Sequence, residues 1–294
     1  MSKQAKKGCV PVLRFPEFRE AGEWKDECIL NIASMKARIG WQNLRQDEHL
    51  NTGEYFLITG TDFVFDRIDW LHAKFVSYER YIQDQNIILK EGDILITKDG
   101  SIGKVAYVDN IQDKRATLNN GIFRIRIENE NSKFIFYTFL SSRFKIFLDK
   151  LSGGSSIVHL YQKDFEKYEI AYPTIGEQQK IAACLSSLDE LITAQAQKLE
   201  ALKTHKKGLM QQLFPAEGET VPKLRFPEFR EAGEWEVKKV GDVCDFIVPG
   251  RNKPIEFNGD IPWITTPDIE QNGVVIFFKK KSEYNKRRGK KYWL

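Results

Sequence analysis

Several residue types and patterns are scarce in this 294-residue sequence, and each absence excludes a class of protein. Four cysteines lie far apart with no C-x-x-C pair, and only four histidines accompany them, which argues against a zinc site or a disulfide framework. No run approaches the roughly 20 apolar residues that a membrane span requires. The N-terminus is basic but has no apolar signal segment, so we expect a cytoplasmic protein.

The usual sequence motifs of enzymes are missing as well. There is no G-x-S-x-G, no H-E-x-x-H, no Asn-Pro-Pro-Tyr and no glycine-rich dinucleotide turn. The stretch GSIGK at Gly100–Lys104 resembles the end of a phosphate loop, but Val105 stands where Ser or Thr is required. We interpret it as a turn between strands and predict a chain without catalytic residues, bound metal or cofactor.

The positive charge of the chain is unevenly distributed. The net charge is only +4, yet Lys279–Lys291 holds eight basic residues and one acid. Clustered Lys and Arg can contact phosphates, but they are equally typical of a solvated tail. For this segment we favour the solvated tail.

What the sequence does contain is a long internal repeat. The string LRFPEFREAGEW occupies Leu13–Trp24 and returns unchanged at Leu224–Trp235. The likeness continues more loosely between Gly53–Asp62 (GEYFLITGTD) and Gly259–Asp268 (GDIPWITTPD). Identical residues at the start of each unit, followed by segments that differ in sequence, indicate a duplicated structural unit. No counterpart of the later segments follows, so we expect only the opening third of the second unit, with partial order.

Between the two copies the pattern changes from strands to helices. Short apolar runs (IILK, DILIT, KVAYV) separated by Gly-Asp, Asp-Gly and Asn-Gly predict strands with tight turns. Apolar residues spaced by three and four predict one amphipathic helix over Ser132–Leu151. We therefore predict a mixed α/β (α+β) globular domain at 1–173, a spacer helix at 174–214, a linker at 215–235 and a partial second domain at 236–294.

The spacer segment has the most regular pattern in the chain. Its apolar seam steps by four and three, which is typical of a coiled coil. A single helix packed on its own domain is the alternative, although the stripe is narrow for that. Gln195 lies near the middle of the seam, which favours antiparallel pairing. The predicted partner-contacting positions are Ile181, Leu185, Leu188, Ile192, Gln195, Leu199, Leu202, Leu209 and Leu213, with Lys206 also in the seam.

Polar loops between the predicted strands are the candidate binding surface. Arg and Lys can read guanine edges, Gln and Asn read adenine edges, and Ser or Thr suit either bases or phosphates. Each of these residues could equally belong to an ordinary surface loop. The candidate DNA-contacting residues are Arg38, Trp41, Gln42, Asn43, Thr59, Thr61, Lys98, Ser101, Lys104, Ser155 and Ser156.

Taken together, these segments resemble the specificity (S) subunit of type I restriction-modification systems. The resemblance covers the whole chain and is carried by RIGWQNL, YFLITGTDF, GDILITKDGSIGKVAYV, GSSIVHLYQKDFEKYEIAYP, EQQKIAACLSSLDELI and the restarted PKLRFPEFREAGEW. It implies a non-catalytic subunit with two target-recognition domains held apart by two antiparallel helices. Each domain would read one half of a split duplex DNA target for methyltransferase (M) and restriction (R) subunits. S-adenosylmethionine, ATP and Mg would then belong to those partner subunits.

The chain departs from that family because its second recognition domain is truncated and its second spacer helix is missing. We expect two chains to pair their single helices antiparallel, as a homodimer that reads a symmetric interrupted sequence. The alternative function is a non-catalytic coiled-coil adaptor that binds protein rather than DNA. Salt-sensitive retention of duplex DNA would distinguish the two.

Overall fold

A computed structural model describes residues 9–40, 44–152 and 159–245, together with 261–262 and 283–284. The chain forms two compact units, residues 1–203 and 204–294. Trp41, Gln42, Asn43, Ser155 and Ser156 lie outside the described residues, as do the basic segment Lys279–Lys291 (apart from 283–284) and most of 236–294.

The first unit is built on a mixed six-stranded sheet. Its strand order is β2-β10-β7-β8-β5-β4. All neighbours in it are antiparallel except the short β5 and β8. The strands are β2 (Ala33–Lys36), β4 (Phe63–Val64), β5 (Arg67–Ile68), β7 (Ile94–Thr97), β8 (Val105–Tyr107) and β10 (Ile122–Ile127). The mixed α/β class predicted from the sequence is confirmed.

Two smaller sheets complete this unit. One has the order β6-β3-β9, with β3 antiparallel to β6 and parallel to β9, and the other pairs β1 with β11 antiparallel. A separate two-residue pair, β12 with β13, lies in the second unit. These strands are β1 (Lys25–Cys28), β3 (Tyr55–Ile58), β6 (Lys74–Val76), β9 (Arg115–Leu118), β11 (Glu169–Tyr172), β12 (Ile261–Pro262) and β13 (Glu283–Tyr284).

The strand predictions for DILIT and KVAYV are confirmed by β7 and β8, whereas the one for IILK is wrong. Residues 88–90 lie outside the strands, after a 3-10 turn at Gln85–Ile87. Asp84 caps that turn by accepting from the Asn86 N–H. Ile87 and Leu89 are buried all the same, Ile88 is half-buried, and Leu89 donates its N–H to the Ala116 carbonyl (2.9 Å). Burial rather than strand pairing explains the apolar composition of the run.

The helices are α1 (Tyr78–Ile82), α2 (Ser132–Leu140), α3 (Ser142–Ser152), α4 (Ile175–Leu213) and α5 (Val240–Val243). The single helix predicted over Ser132–Leu151 is in fact α2 and α3, which are separated at Ser141. Ser141 has extended dihedrals, and its N–H donates to the Thr138 carbonyl (3.2 Å). A serine that closes one helix leaves no interruption in the apolar spacing, so periodicity alone could not reveal the break.

The larger core of the unit lies between the six-stranded sheet and the helices α2 and α3. Phe123 on β10, Phe139 on α2 and Phe144 on α3 meet Phe165 and Tyr168 in contacts with ring centroids 5.0–6.3 Å apart. A second apolar cluster includes residues of both β7 and the three-stranded sheet, among them Ile58, Leu95 and Leu118. The apolar face of the segment predicted as helical, Ser132–Leu151, is therefore part of the core and holds α2 and α3 on the sheet.

Candidate nucleic-acid interface and spacer helix

The predicted DNA-contacting loops follow strands that end at the same edge of the sheet. β2 and β7 both run antiparallel to β10, so they point in the same direction. The loop after β2 begins towards Arg38, and the loop after β7 begins at Lys98. The turn after β3 joins them, because a Cβ atom added to Gly60 would lie 2.8 Å from Thr97 Cγ2.

The turn between β7 and β8 holds Lys98, Ser101 and Lys104 in a fixed arrangement. The Thr97 hydroxyl donates to the Ser101 carbonyl (2.5 Å) and accepts from the Lys104 N–H (3.0 Å). Gly103 has a φ of 81°, and its N–H donates to the Thr97 carbonyl (2.9 Å). Ser101 and Lys104 are exposed, whereas Lys98 is half-buried with its ammonium 5.5 Å from the Phe123 ring centroid. The Ser101 hydroxyl and the Lys104 ammonium are therefore exposed on a turn that backbone hydrogen bonds hold in place.

The Thr59–Thr61 turn offers a different chemistry. The Thr59 hydroxyl donates to the Asp62 carboxylate (2.8 Å) and lies 2.7 Å from the Thr61 hydroxyl. Since a hydroxyl has a single proton, Thr61 must be the donor in the second bond. The exposed Thr61 oxygen is thus left with acceptor lone pairs only. Burial raises the pKa of the Asp62 carboxyl, and the hydrogen bonds from Thr59 oppose that rise.

Arg38 lies in the interior, which corrects the expectation that it belongs to a surface loop. It is 2% exposed, and its guanidinium donates to the Leu118 carbonyl (2.8 Å), the Thr117 hydroxyl (3.2 Å) and the Gln83 side chain (3.4 Å). Burial, and then the nearby Arg80, lower its pKa. Arg38 therefore ties the loop after β2 to β9.

A third chain segment returns to the same edge of the sheet. The Leu160 N–H donates to the Lys98 carbonyl (2.9 Å), and His159 Nδ1 contacts the Asp99 carboxylate. Beyond them the Tyr161 ring is exposed, with the Lys163 ammonium 5.3 Å from its centroid. Tyr161 and Lys163 were not among the predicted residues. An aromatic and a cation directly after a Gly- and Ser-rich stretch were the signal for them.

Phe65 is a second residue that the sequence analysis missed. It is 92% exposed at the tip of the β4–β5 hairpin, where Phe65 and Asp66 have φ values of 49° and 59°. Two consecutive positive φ values define a type I′ turn, which normally carries Asn or Gly. Phe65 and Lys104 line one open cleft of about 780 Å³ with α2 and α3. An exposed aromatic held in such a turn is a rigid contact element beside the Lys104 turn.

The first part of the spacer helix α4 is attached to the recognition domain. The Arg14 guanidinium donates two hydrogen bonds to the buried Glu177 carboxylate (2.7 and 2.6 Å). The Tyr137 hydroxyl donates to Asp189 (2.6 Å). Burial, and then this carboxylate, raise the pKa of Tyr137 to about 12. Contacts near residues 177 and 189 fix about three turns of the helix.

These attachments divide the predicted seam into three parts. Ile181 and Leu185 face their own domain and line a cleft with Trp24 and Tyr168. This part of the helix follows the alternative prediction, a single helix packed on its own domain. Leu209 and Leu213 are half-buried. The exposed central part consists of Leu188, Ile192, Gln195, Leu199 and Leu202, whose leucine and isoleucine side chains are 50–66% exposed.

The described residues contain no group of three or more His, Cys, Asp or Glu side chains placed to hold a metal ion. No helix among them combines the length and apolarity needed to cross a membrane.

Comparison with known proteins decides the family. Residues 24–204 match Methylase_S, described as the type I restriction modification DNA specificity domain. The chain belongs to this family. Its match extends from Trp24 at the end of the first repeat copy, through the recognition domain, into the spacer helix.

Two curated relatives of the chain are specificity subunits of type I restriction enzymes. The type I restriction enzyme MjaVIII specificity subunit of Methanocaldococcus jannaschii is 31% identical over 195 residues, covering 65% of this chain and 43% of the relative. The MjaIX specificity subunit of that organism is 32% identical over 200 residues, covering 64% and 44%. This chain thus spans less than half the length of these relatives.

Two S subunit crystal structures are also similar to the chain. The S subunit from M. genitalium is 16% identical with a TM-score of 0.49, covering 68% of this chain and 48% of that one. The subunit from Thermoanaerobacter tengcongensis is 16% identical with a TM-score of 0.41, covering 63% and 41%.

Proposed function

We propose that this chain is a non-catalytic, sequence-specific DNA-binding subunit that reads one half of a split target and directs methyltransferase and restriction subunits to it. The observation that carries the proposal is the family match over residues 24–204, which includes both the recognition domain and most of its spacer helix. S-adenosylmethionine, ATP and Mg would belong to the partner subunits.

The edge of the sheet formed by the Thr59–Thr61 turn, the Lys98–Lys104 turn and Tyr161 is the proposed DNA-reading surface. Lys104 supplies an exposed cation for phosphate or guanine, and Thr61 supplies an acceptor for a base amino group. Exposed aromatic rings at Phe65 and Tyr161 are suited to contact with bases. Arg38 supports this surface from the interior through its hydrogen bonds to β9. Trp41, Gln42, Asn43, Ser155 and Ser156, which lie outside the described residues, remain predicted DNA contacts.

We further infer that two chains pair through the exposed central part of the spacer seam. Antiparallel pairing centred on Gln195 places Leu188 opposite Leu202 and Ile192 opposite Leu199, so each apolar position of the exposed central part meets another apolar position. A polar residue at the centre of a seam fixes register at some cost in stability. A two-fold homodimer would carry two identical recognition domains and bind an interrupted palindrome.

A salt titration of DNA binding tests the proposed reading surface. The full chain with its methyltransferase subunit is titrated against labelled duplex DNA at several salt concentrations. We expect Lys98→Ala and Lys104→Ala each to reduce the slope of log K against log salt by about one. Lys90→Ala is the matched control, because this exposed lysine lies before β7, at the opposite end of the strand.

The same titration separates the proposal from the adaptor alternative. A protein-binding adaptor would retain no duplex DNA at any salt concentration. Unchanged slopes in Lys98→Ala and Lys104→Ala would place the DNA elsewhere on the protein, and an equal loss in Lys90→Ala would show that the contacts are not confined to this surface.

A further inference from the structure

The turn at residues 119–121, between β9 and β10, lies at the same edge of the sheet as the proposed DNA-reading surface. β9 runs parallel to β3, so both strands end on the same side. The Asn119 N–H donates to the carbonyl of Ile58 at the end of β3 (2.9 Å). The Lys98 N–H donates to the Gly121 carbonyl (2.8 Å). The β9–β10 turn therefore connects the turn after β3 with the turn after β7.

Asp99 lies where these segments meet. Its Cβ and Oδ2 atoms are 3.5 and 3.7 Å from the position of a Cβ atom added to Gly121, so the carboxyl group lies against the backbone of the β9–β10 turn. Its other oxygen, Oδ1, contacts His159 Nδ1. Since an ionised carboxylate can only accept hydrogen bonds, Nδ1 is the donor. The Asp99 side chain is nevertheless 40% exposed.

The His159 ring is held in place by its neighbours in the chain. The next residue, Leu160, donates its N–H to the Lys98 carbonyl (2.9 Å), which fixes the backbone beside the ring. The Tyr161 ring lies 4.6 Å from the imidazole, centroid to centroid. A side chain that is restrained in this way fixes the orientation of the group that it binds. His159 therefore orients the Asp99 carboxylate.

The second carboxylate oxygen of Asp99 remains able to accept hydrogen bonds. A carboxylate has about four acceptor sites, and His159 uses one of them. No other N–H or O–H group in the part of the chain that the structure describes donates to Asp99. The glycine at position 121 has no side chain that could cover Oδ2. An oriented acceptor is thus open at the centre of the edge.

A free carboxylate is unfavourable on a surface that binds only phosphates. The exposed cations of this surface, Lys104 in the same turn and Lys163 beyond His159, attract the DNA backbone, whereas Asp99 repels it. Base edges differ from phosphates because some of them carry amino donors. In the major groove, Asp and Glu accept from the 4-amino group of cytosine, while guanine offers only acceptors there. The position of Asp99 therefore fits base reading better than backbone binding.

We propose that Asp99 is a specificity-determining residue that accepts a hydrogen bond from the 4-amino group of one cytosine in the DNA target, and that His159 is its positioning residue. The inference rests on the proposed function, since it assigns one group of the reading surface to one base. Adenine also carries an amino group, but its N7 acceptor lies beside that group and repels a carboxylate. Cytosine has no acceptor there.

A base analogue tests the contact on the unmodified protein. The target is first selected from a random duplex library with the full chain and its methyltransferase subunit. Each cytosine of the target is then replaced, one at a time, by 2-pyrimidinone, which lacks the 4-amino group. We expect one replacement to weaken binding by at least about tenfold, because a hydrogen bond to a charged group is lost. Asp99→Ala should bind that duplex and the cytosine duplex within about twofold of each other.

Protein variants separate base reading from a structural role. Asp99→Ala should bind unrelated duplexes more strongly than the wild type does, because a negative charge is removed. His159→Ala should reduce the preference for cytosine at the same position and leave the other positions unchanged. Asp113→Ala is the matched control, since this exposed carboxylate precedes β9 at the opposite end of that strand. It should alter no base preference.

Three results bear on the inference in different ways. A wild-type protein that is insensitive to every 2-pyrimidinone replacement would overturn it. So would an Asp99→Ala variant that loses affinity equally for all duplexes, because the carboxylate would then only support the fold of the turn. A wild-type chain that shows no preference among duplexes would instead refute the proposed function itself.

Discussion

Thr61 is the residue whose chemistry at the proposed reading surface is most narrowly defined. The Thr59 hydroxyl donates its proton to Asp62, and the Thr61 hydroxyl donates its own to Thr59. Thr61 can therefore only accept a further hydrogen bond. Among exposed groups in the major groove, the amino groups of adenine and cytosine are donors. Thr61 should therefore favour one of these bases at a single position of the target.

Substitution of Thr61 tests this restriction. Thr61→Ala should reduce discrimination at one base position by about 0.5–1.5 kcal/mol, the usual net contribution of a single hydrogen bond. Thr61→Ser should retain it, since the hydroxyl is kept. Binding to a library of single-base target variants is the measurement. A uniform loss across all variants would assign Thr61 to backbone contact instead.

Glu48 links the stability of the recognition domain to pH. Two hydrogen bonds from Arg80 and one from the Arg45 N–H lower the pKa of this carboxyl from 4.5 to about 2. A group whose pKa is lowered by folding stabilises the protein above its ordinary pKa. That contribution is lost as the pH falls from about 4.5 towards 2.

Thermal midpoints should therefore show a pH-dependent difference between the wild type and Glu48→Gln. We expect the wild type to melt at the higher temperature near neutral pH, and the difference to shrink below about pH 4.5. Glu54→Gln, which removes an exposed carboxylate nearby, is the control and should show a smaller difference. A difference that stays constant down to pH 3 would contradict this account.

At the level of elements, the spacer helix was the most accurate prediction from sequence. Its apolar steps from Ile181 to Leu213 correspond to α4, which begins six residues earlier at Ile175. Periodicity could not show that Ile181 and Leu185 are used by the recognition domain. That depends on contacts with distant residues such as Trp24 and Tyr168, which spacing along the helix does not encode.

The same limit explains the misassigned parts of the site. Arg38 is a charged residue in a polar segment, which is typical of a surface loop. Its guanidinium nevertheless donates to three acceptors in the interior. Phe65 has no sequence signal for a tight turn, because Phe is unusual at a positive φ. The grouping of Thr59, Lys98 and Ser101 depends on the close approach of Gly60 to Thr97, which lie far apart in the chain and follow or belong to strands of different sheets.

The exposed central part of α4 is the proposed contact between the two chains of a dimer. Leu188→Lys with Leu202→Lys should abolish dimers in light scattering over a range of concentrations, because both changes put charge in the proposed seam. Ser187→Lys with Ala201→Lys is the matched control, since it adds the same charge at exposed positions beside the seam. A wild-type protein with the mass of one chain at all concentrations would reject the homodimer.

For the molecule as a whole, the proposed dimer requires a target with two-fold symmetry. Two identical recognition domains must read identical half-sites in opposite orientation. Selection of bound sequences from a random duplex library with the methyltransferase subunit present is the measurement. We expect inverted half-sites with a fixed gap. Two unrelated half-sites would instead indicate a mixed assembly with a different specificity chain.

In the proposed dimer, the attachment of α4 near Glu177 and Asp189 and a symmetric centre at Gln195 would make the length of the helix set the distance between the two domains. Seven residues inserted between Asp189 and Gln195 would keep the apolar phase and lengthen each arm by about 10 Å. The two domains would then move apart by about 21 Å, or roughly six base pairs at about 3.4 Å each. The length of the unread gap in the proposed DNA target would therefore follow from the number of helical turns between each domain and the centre of the seam.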